Sequence, residues 1–332
     1  MCLRVSHIRK TLKFAVALVT LSQTAEYQSL AQQIHIPFGN MDTWMVRQID
    51  ESGIIGGATK YAYEVAPGDT LKGNVPYLPD FTVSPWGTSS ILGVISGITK
   101  SSTTVFPEKR GSGYAARMET RIERVKVLGM INISALATGT MYLGEIKEPV
   151  RDVKNPMAKL LMGIPFTAFP TAIKFDYKFR QGENDGQRIR VPGFGRTETL
   201  PGKNCGEMCL VLQRRWEDAD GNICAERVAT AWIRISQSTD GWIDGHVERL
   251  HYGDISDTDY FKPFMSLSEG TRDDNHCLNS RGKSVPIKEV GWASPGTEPT
   301  HIILRFSSGY GGAYVGSPGA ALYVDNVSLV YN

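Results

Sequence analysis

The amino-acid sequence predicts an all-β chain, folded as an antiparallel β-sandwich or jelly roll, and three observations carry that expectation. Several segments alternate apolar and polar residues with the two-residue period of a half-buried strand. Thirty-four Gly and 17 Pro in 332 residues supply many turns. No stretch of core length shows the 3.6-residue apolar period of a helix. Strands this numerous, without helices between them, imply stacked antiparallel sheets.

The first element is a leader. Arg9, Lys10 and Lys13 precede an apolar run from Phe14 to Leu21, and the small residues Ser29 and Ala31 offer a cleavage site, so residues 1–31 read as an export signal. The run is far shorter than the roughly 20 residues that span a bilayer. No later stretch is longer or more apolar, so no integral membrane protein is expected, and residues 32–332 are expected to form a single large jelly-roll domain. Loss of the leader removes Arg4, Arg9, Lys10, Lys13 and Glu26, which takes the formal net charge from +2 to −1. That balance, with no basic block, argues against a nucleic-acid surface, which needs clustered Lys and Arg to displace counterions. Cys205, Cys209, Cys224 and Cys277 remain. In an exported protein they favour disulfides, with three full pairings open. A zinc site from Cys205, Cys209, His276 and Cys277 is the weaker alternative.

The strands follow in order. "YAARMETRIERV" (114–125), as a helix, would stack Arg117 on Arg121 and Glu119 on Glu123, which is unfavourable. As a strand it turns Ala116, Met118, Thr120 and Ile122 inward and Arg117, Glu119, Arg121 and Glu123 outward. "AIKFDYKF" (172–179) sets Ile173, Phe175, Tyr177 and Phe179 against Lys174, Asp176 and Lys178. "CLVLQRRWEDADGNICAERVATAWIRI" (209–235) reads as two strands around a turn at Asp218–Gly221. Pairing Glu217 with Asn222 there puts Cys209 opposite Thr230. "THIILRF" (300–306) and "ALYVDNVSLVY" (321–331) supply two more strands, joined by the glycine-rich "SSGYGGAYVGSPG". Segments 181–204 and 253–286 read as long loops. One residue is out of place: Asp325 shares the parity of Tyr323, Val327, Leu329 and Tyr331, a carboxylate on an apolar face.

"WGTSSILGVISGITKSS", "GSGYAARMETR", "LATGTMYLGE", "GIPFTAFPTAIKFDYKF" and "PTHIILRFSSGYGGAYVGSPGAALYVDNVSLVY" occur in this order. Over residues 84–332, most strongly at 163–179 and 299–331, the chain resembles the PCMD carbohydrate metabolism domain family of exported proteins from Gram-negative gut and oral bacteria. The resemblance implies a β-jelly roll with a role in glycan handling. The cysteines and the stretch 237–290 depart from the family's usual pattern.

Similarity to carbohydrate-binding jelly rolls also suggests a reason for Asp325. Such modules hold a structural calcium where the first and last strands meet, and "FGNMDTW" (38–44) looks like their opening. Asp42 and Asp325 are then the expected calcium ligands, since calcium accepts six to eight oxygens in loose geometry and offsets the charge. Two alternatives stay open. Asp325 and Asn326 could form a hairpin turn, or Asp325 could accept backbone N–H groups at a sheet rim.

A sugar presents a C–H face to aromatic planes and hydroxyls to polar side chains. Tyr310 and Tyr314 in the glycine-rich loop, and Trp86 before "GTSS", fit the first need, while Arg117 and Glu119 fit the second. These five residues are the expected ligand-binding set. Trp242 is also expected at the surface, whereas Trp232 and Trp44 are expected to pack inside. Glu119, Glu145 and Glu289 are the candidates for a hydrolytic carboxylate pair, without a means of choosing among 33 acidic residues beyond the leader. No G-x-S-x-G or H-E-x-x-H motif occurs. The leading expectation is an exported, non-catalytic protein that binds a glycan or a surface partner at the bacterial envelope. The alternatives are a glycoside hydrolase and an assembly component of a cell-surface complex.

Overall fold

The computed structural model describes residues 32–127 and 131–332; the expected export signal, residues 1–31, lies outside them. The chain is almost wholly β-structure, and two sheets pack face to face. The smaller sheet runs Ile243–Arg249, Ala172–Arg180, Ala321–Tyr331, Gly113–Glu119, Val105–Arg110, with Gln32–His35 added along the end of Ala321–Tyr331. All of its pairings are antiparallel.

The larger sheet is centred on Gly206–Glu217, which lies between His301–Ser307 and Ile223–Ile235. It continues through Ser284–Trp292, His276–Leu278, Leu160–Met162 and Thr140–Ile146, and the last of these pairs back onto His301–Ser307. The sheet therefore closes into a ring. Two junctions of the ring are parallel, Ile223–Ile235 with Ser284–Trp292 and Leu160–Met162 with His276–Leu278. The antiparallel expectation holds at its other junctions.

Closure explains the unbroken apolar runs "CLVL" and "IIL", because both faces of these strands are buried. Met208, Leu210, Leu212, Ile302, Leu304 and Phe306 face the smaller sheet and pack on Ile173, Phe175, Phe179, Leu322 and Val324. Cys209, Val211 and Ile303, on the opposite parity, fill the ring with Tyr142, Ile223, Val285 and Ile287. Each fully buried side chain of this size contributes roughly 1.5–3 kcal/mol, so the two cores dominate the stability of the sandwich.

The C-terminal strand resolves the parity problem. Lys174 pairs with Ser328 but Asp176 pairs with Asp325, so Asn326 and Val327 together oppose Phe175 alone. This is a β-bulge, and Asn326 adopts the left-handed conformation at φ 52°, which asparagine tolerates better than most residues. The added residue reverses the alternation. Leu322 and Val324 before it and Val327 and Leu329 after it all reach the main core, which leaves Asp325 on the outer face with Tyr323. The strand continues through Asp325 and Asn326, so no hairpin turn forms there.

Three further expectations are corrected. The run 114–125 is two strands: Gly113–Glu119 belongs to the smaller sheet, whereas Arg121–Val127 pairs with Ile131–Ala137 in a separate sheet. Thr120 sits at the break, its N–H donating to the Ala320 carbonyl at 2.9 Å. The 209–235 hairpin turns where expected, with the Gly221 N–H donating to the Asp218 carbonyl at 3.0 Å. However, Glu217 faces Ile223, and a second irregularity at Leu212/Gln213 puts Cys209 opposite Trp232 instead of Thr230. Finally, Cys205, Cys209, Cys224 and Cys277 are all free thiols. Cys209 serves as a small apolar filler of the ring, and burial pushes its thiol up to about 12.

Candidate functional site

The residues expected to bind sugar do not form one surface. Trp86 is fully buried, with its indole N–H donating to the Pro37 carbonyl at 2.8 Å. The expected exposure of Trp86 is corrected: its ring is part of the main core. Arg117 and Glu119 are ion-paired with each other on the outer face of the smaller sheet. Arg117 also donates to Glu108 at 3.1 Å and lies 4.4 Å from the Phe106 ring centroid. Tyr310 and Tyr314 do come together, in the wall of a cavity of about 270 Å³. Most of that wall is aliphatic, including Ile91, Ile95, Ile98, Val125 and Ile133. The Tyr310 ring carries the guanidinium groups of Arg188 and Arg234 at 4.1 and 4.0 Å, and its hydroxyl donates to the Lys203 carbonyl. The Tyr314 hydroxyl donates to the Val153 carbonyl. Both tyrosines are thereby committed to holding the loop.

The two expected calcium ligands lie where the chain ends meet, and the Val327 N–H donates to the Gly39 carbonyl at 2.8 Å. Asp42 accepts the Tyr114 N–H at 2.8 Å and the Asn40 amide at 3.0 Å. Asp325 accepts Arg110 Nη1 at 2.7 Å and the Asn326 N–H at 2.8 Å, so the rim-acceptor alternative describes part of its role. Arg110 also binds Asp176 at 2.8 Å and Asp244 at 2.6 Å, and its guanidinium lies 3.9 Å from the Trp242 ring centroid. Burial pushes Asp325 up, and Arg110 draws it back. Burial alone would raise Asp176 as well, but hydrogen bonds from Asn326, Gly245 and Arg110 hold it below the usual carboxylate range. Among the described residues, no group of three or more His, Cys, Asp or Glu is placed to hold a metal ion.

A second cavity, of about 350 Å³, opens at one mouth of the ring, beside the Glu217–Ile223 hairpin. Ring mouths are common places for ligands, because strand ends bring several side chains together without closing the space. Trp216 is 42% exposed and Phe81 is 46% exposed, and both line this cavity. The floor is polar. Arg215 follows Cys209, Val211 and Gln213 on the parity that faces into the ring. Its Nε donates to Gln213 Oε1 at 2.7 Å and its Nη1 to the Met162 carbonyl at 3.3 Å, while the buried Nη2 has no hydrogen-bond partner among the described residues. Gly163 makes room for it, since a Cβ there would stand 2.4 Å from Nη2. Burial pushes the Arg215 guanidinium down to about 10.

Two carboxylates line the same cavity with opposite tendencies. Burial pushes Glu145 up. Glu217 is held down by Ser280, which donates both its hydroxyl and its N–H at 2.7 Å. His301 is pushed down to about 4 by burial and by Arg215, so it is neutral near pH 7. Of this set only Glu145 was among the residues singled out from sequence. A signal for Trp216 is visible in hindsight: "RRWED" surrounds it with charge, whereas "ATAWIRI" surrounds Trp232 with apolar residues. A tryptophan whose strand neighbours are charged on both sides stands where the sheet runs out into solvent.

The family model described as "Putative carbohydrate metabolism domain" (PCMD) matches residues 78–225. This region contains every residue named above for the ring-mouth cavity except His301 and Ser280. A similar solved structure is described as that of "a putative glycoside hydrolase from Bacteroides thetaiotaomicron". It is 16% identical, with 86% of this chain and 71% of that chain covered at a TM-score of 0.46. No curated protein matches the chain.

Proposed function

We propose that this protein binds carbohydrate at the ring mouth, with Trp216 and Phe81 as platforms for the sugar's C–H faces. The observation that carries the reading is that two exposed aromatic residues line one cavity with Arg215, Glu145, Glu217 and His301. Apolar planes beside a few fixed polar groups are what a glycan needs. The match of residues 78–225 to a carbohydrate metabolism domain supports it. Affinity electrophoresis against plant, host and microbial polysaccharides tests it. Retardation by at least one polysaccharide, reduced on the order of tenfold in Trp216→Ala, is expected, as a stacked ring is worth about 1 kcal/mol or more. No retardation by any of them would count against the proposal.

A second reading, hydrolysis of the bound glycan, is favoured by one observation: Glu145 and Glu217 sit in one cavity with their acidities pushed apart. That separation is how one carboxyl stays protonated as an acid while another stays ionised. Reducing-end release by the wild type that disappears in Glu145→Gln, with binding retained, would establish it. Site of action and metal belong to the same proposal. The leader-like residues 1–31 would direct the protein to the envelope or beyond, which fractionation of cells carrying it checks. Calcium at Asp42 and Asp325 predicts a higher Tm with millimolar calcium, reversed by chelator and lost in Asp42→Ala; an unchanged Tm leaves Arg110 as the compensating charge there.

A further inference from the structure

The aromatic platform asks only for a sugar, but Arg215 asks for more. The other strongly buried arginines have carboxylate partners. Arg47 binds Glu64 at 2.8 Å and Glu148 at 2.5 Å, Arg305 binds Glu207 at 2.6 Å, and Arg227 binds Glu289. Arg215 has the neutral Gln213 amide, the Met162 carbonyl and the Cys277 thiol, with no carboxylate and with Nη2 left without a hydrogen-bond partner among the described residues. The acidic groups that draw on it electrostatically are the Cys277 thiol, itself pushed up by burial, and Glu289, already taken by Arg227. Glu217 is engaged by Ser280, and neither Glu217 nor Glu145 forms an ion pair with Arg215 among the described residues. A guanidinium in a cavity without an anion is a costly arrangement in the free protein. It becomes favourable when a planar oxyanion accepts its donors in parallel.

We infer that the ring-mouth cavity takes an anionic sugar, one bearing a uronate carboxylate or a sulfate ester, with the oxyanion seated on Arg215 and the ring against Trp216. This rests on the carbohydrate reading of the cavity and narrows its substrate class. The oxyanion supplies the missing acceptor, while the neutral His301 beside Arg215 adds no competing charge. Arg215 is then a specificity-determining residue.

The test compares charged polymers with their neutral counterparts at fixed ionic strength: polygalacturonate against its fully methyl-esterified form, and dextran sulfate against dextran. In the wild type, the charged member of at least one pair is expected to bind tenfold or more tightly. The first pair reports a carboxylate and the second a sulfate. The preference should vanish in Arg215→Met and survive in part in Arg215→Lys. Should Arg215→Met not fold, wild-type thermal shifts decide: sodium glucuronate or sodium sulfate raises Tm where glucose at equal concentration and ionic strength does not. Equal binding of both members in each pair, or a preference that persists in Arg215→Met, overturns the inference. Binding that depends on Trp216 yet ignores charge would do so while leaving the carbohydrate reading intact. Loss of all Trp216-dependent binding would remove that reading as well.

Discussion

Two arginines on neighbouring strands of the ring, Arg227 and Arg215, are treated in opposite ways. Arg227 is locked: Nε donates to Glu289 Oε1 at 2.9 Å, Nη2 binds the other carboxylate oxygen, and Nη1 and Nη2 reach the Met265 and Ser266 carbonyls. Glu289 in turn accepts the Ser268 N–H at 2.9 Å, so this pair fastens the segment Met265–Ser268 to the sheet, although 276–278 and 284–286, expected as loop, are strands of the ring. Gln213 stands between the two sites, giving its amide N–H to Glu289 at 2.6 Å and its carbonyl oxygen to Arg215. The same amide thus completes a satisfied cluster on one side and, among the described residues, serves as the one side-chain oxygen acceptor for an uncompensated cation on the other. The difference teaches where the fold spends its charge complementarity: in the wall it is internal, and at the mouth it is left for a ligand.

The comparison can be tested at its strongest point. Glu289→Ala would turn Arg227 into a second uncompensated arginine, with a loss of about 3–5 kcal/mol expected from urea denaturation. A loss below about 1 kcal/mol would mean that the two sites do not differ as described. Asn326→Val removes a donor to Asp176 and forces a β-branched residue into the left-handed conformation, for a cost of about 1–2 kcal/mol. Asp325→Asn should cost less, about 1 kcal/mol, because the Arg110 side chain is 20% exposed and keeps Asp176 and Asp244.

The smallest effects are in pH dependence. His301 titrates at about 4 instead of 6.5, so between those values the unfolded chain binds more protons and stability rises with pH. Burial pushes Glu64 up to about 7 against the pull of Arg47, so from about 4.5 to 7 the folded state binds more protons and stability falls. The two slopes oppose each other. Tm measured from pH 4 to 8 should keep the falling limb in His301→Gln and the rising limb in Glu64→Gln, the latter the shallower because His301 is partly exposed to solvent screening. Arg215→Met should also bring the His301 titration, followed by NMR, back toward 6.5.

Much of the architecture was legible because its cause is local. Alternation in 172–179 and the Asp218–Gly221 turn are written in adjacent residues, and both appear in the structure. What escaped depends on neighbours far along the chain. Ring closure needs Thr140–Ile146 to find His301–Ser307, and nothing within either segment says so. Trp86 has the polar surroundings of a surface residue in sequence, but the loop at Pro37 and the main core cover it. The tyrosines of the glycine-rich loop were expected to meet a sugar; they stand in one cavity wall with their hydroxyls bound to backbone carbonyls, which adjacent residues do not announce. Arg215 was hidden for a different reason: its significance is the lack of a partner, and a sequence shows which residues exist without showing which meet.

Asn326 carries one more implication, for anyone who edits the gene. Deleting that single codon would take out the bulge alone: Val327 would stand opposite Phe175 with Ser328 still opposite Lys174, so Val327 and Leu329 would keep the core and Gln32–His35 would keep its register on the same strand. What such a deletion would take away is the Asn326 amide that donates to Asp176 at 2.7 Å, so its effect would fall on the charge cluster around Arg110 and spare the side chains of the core.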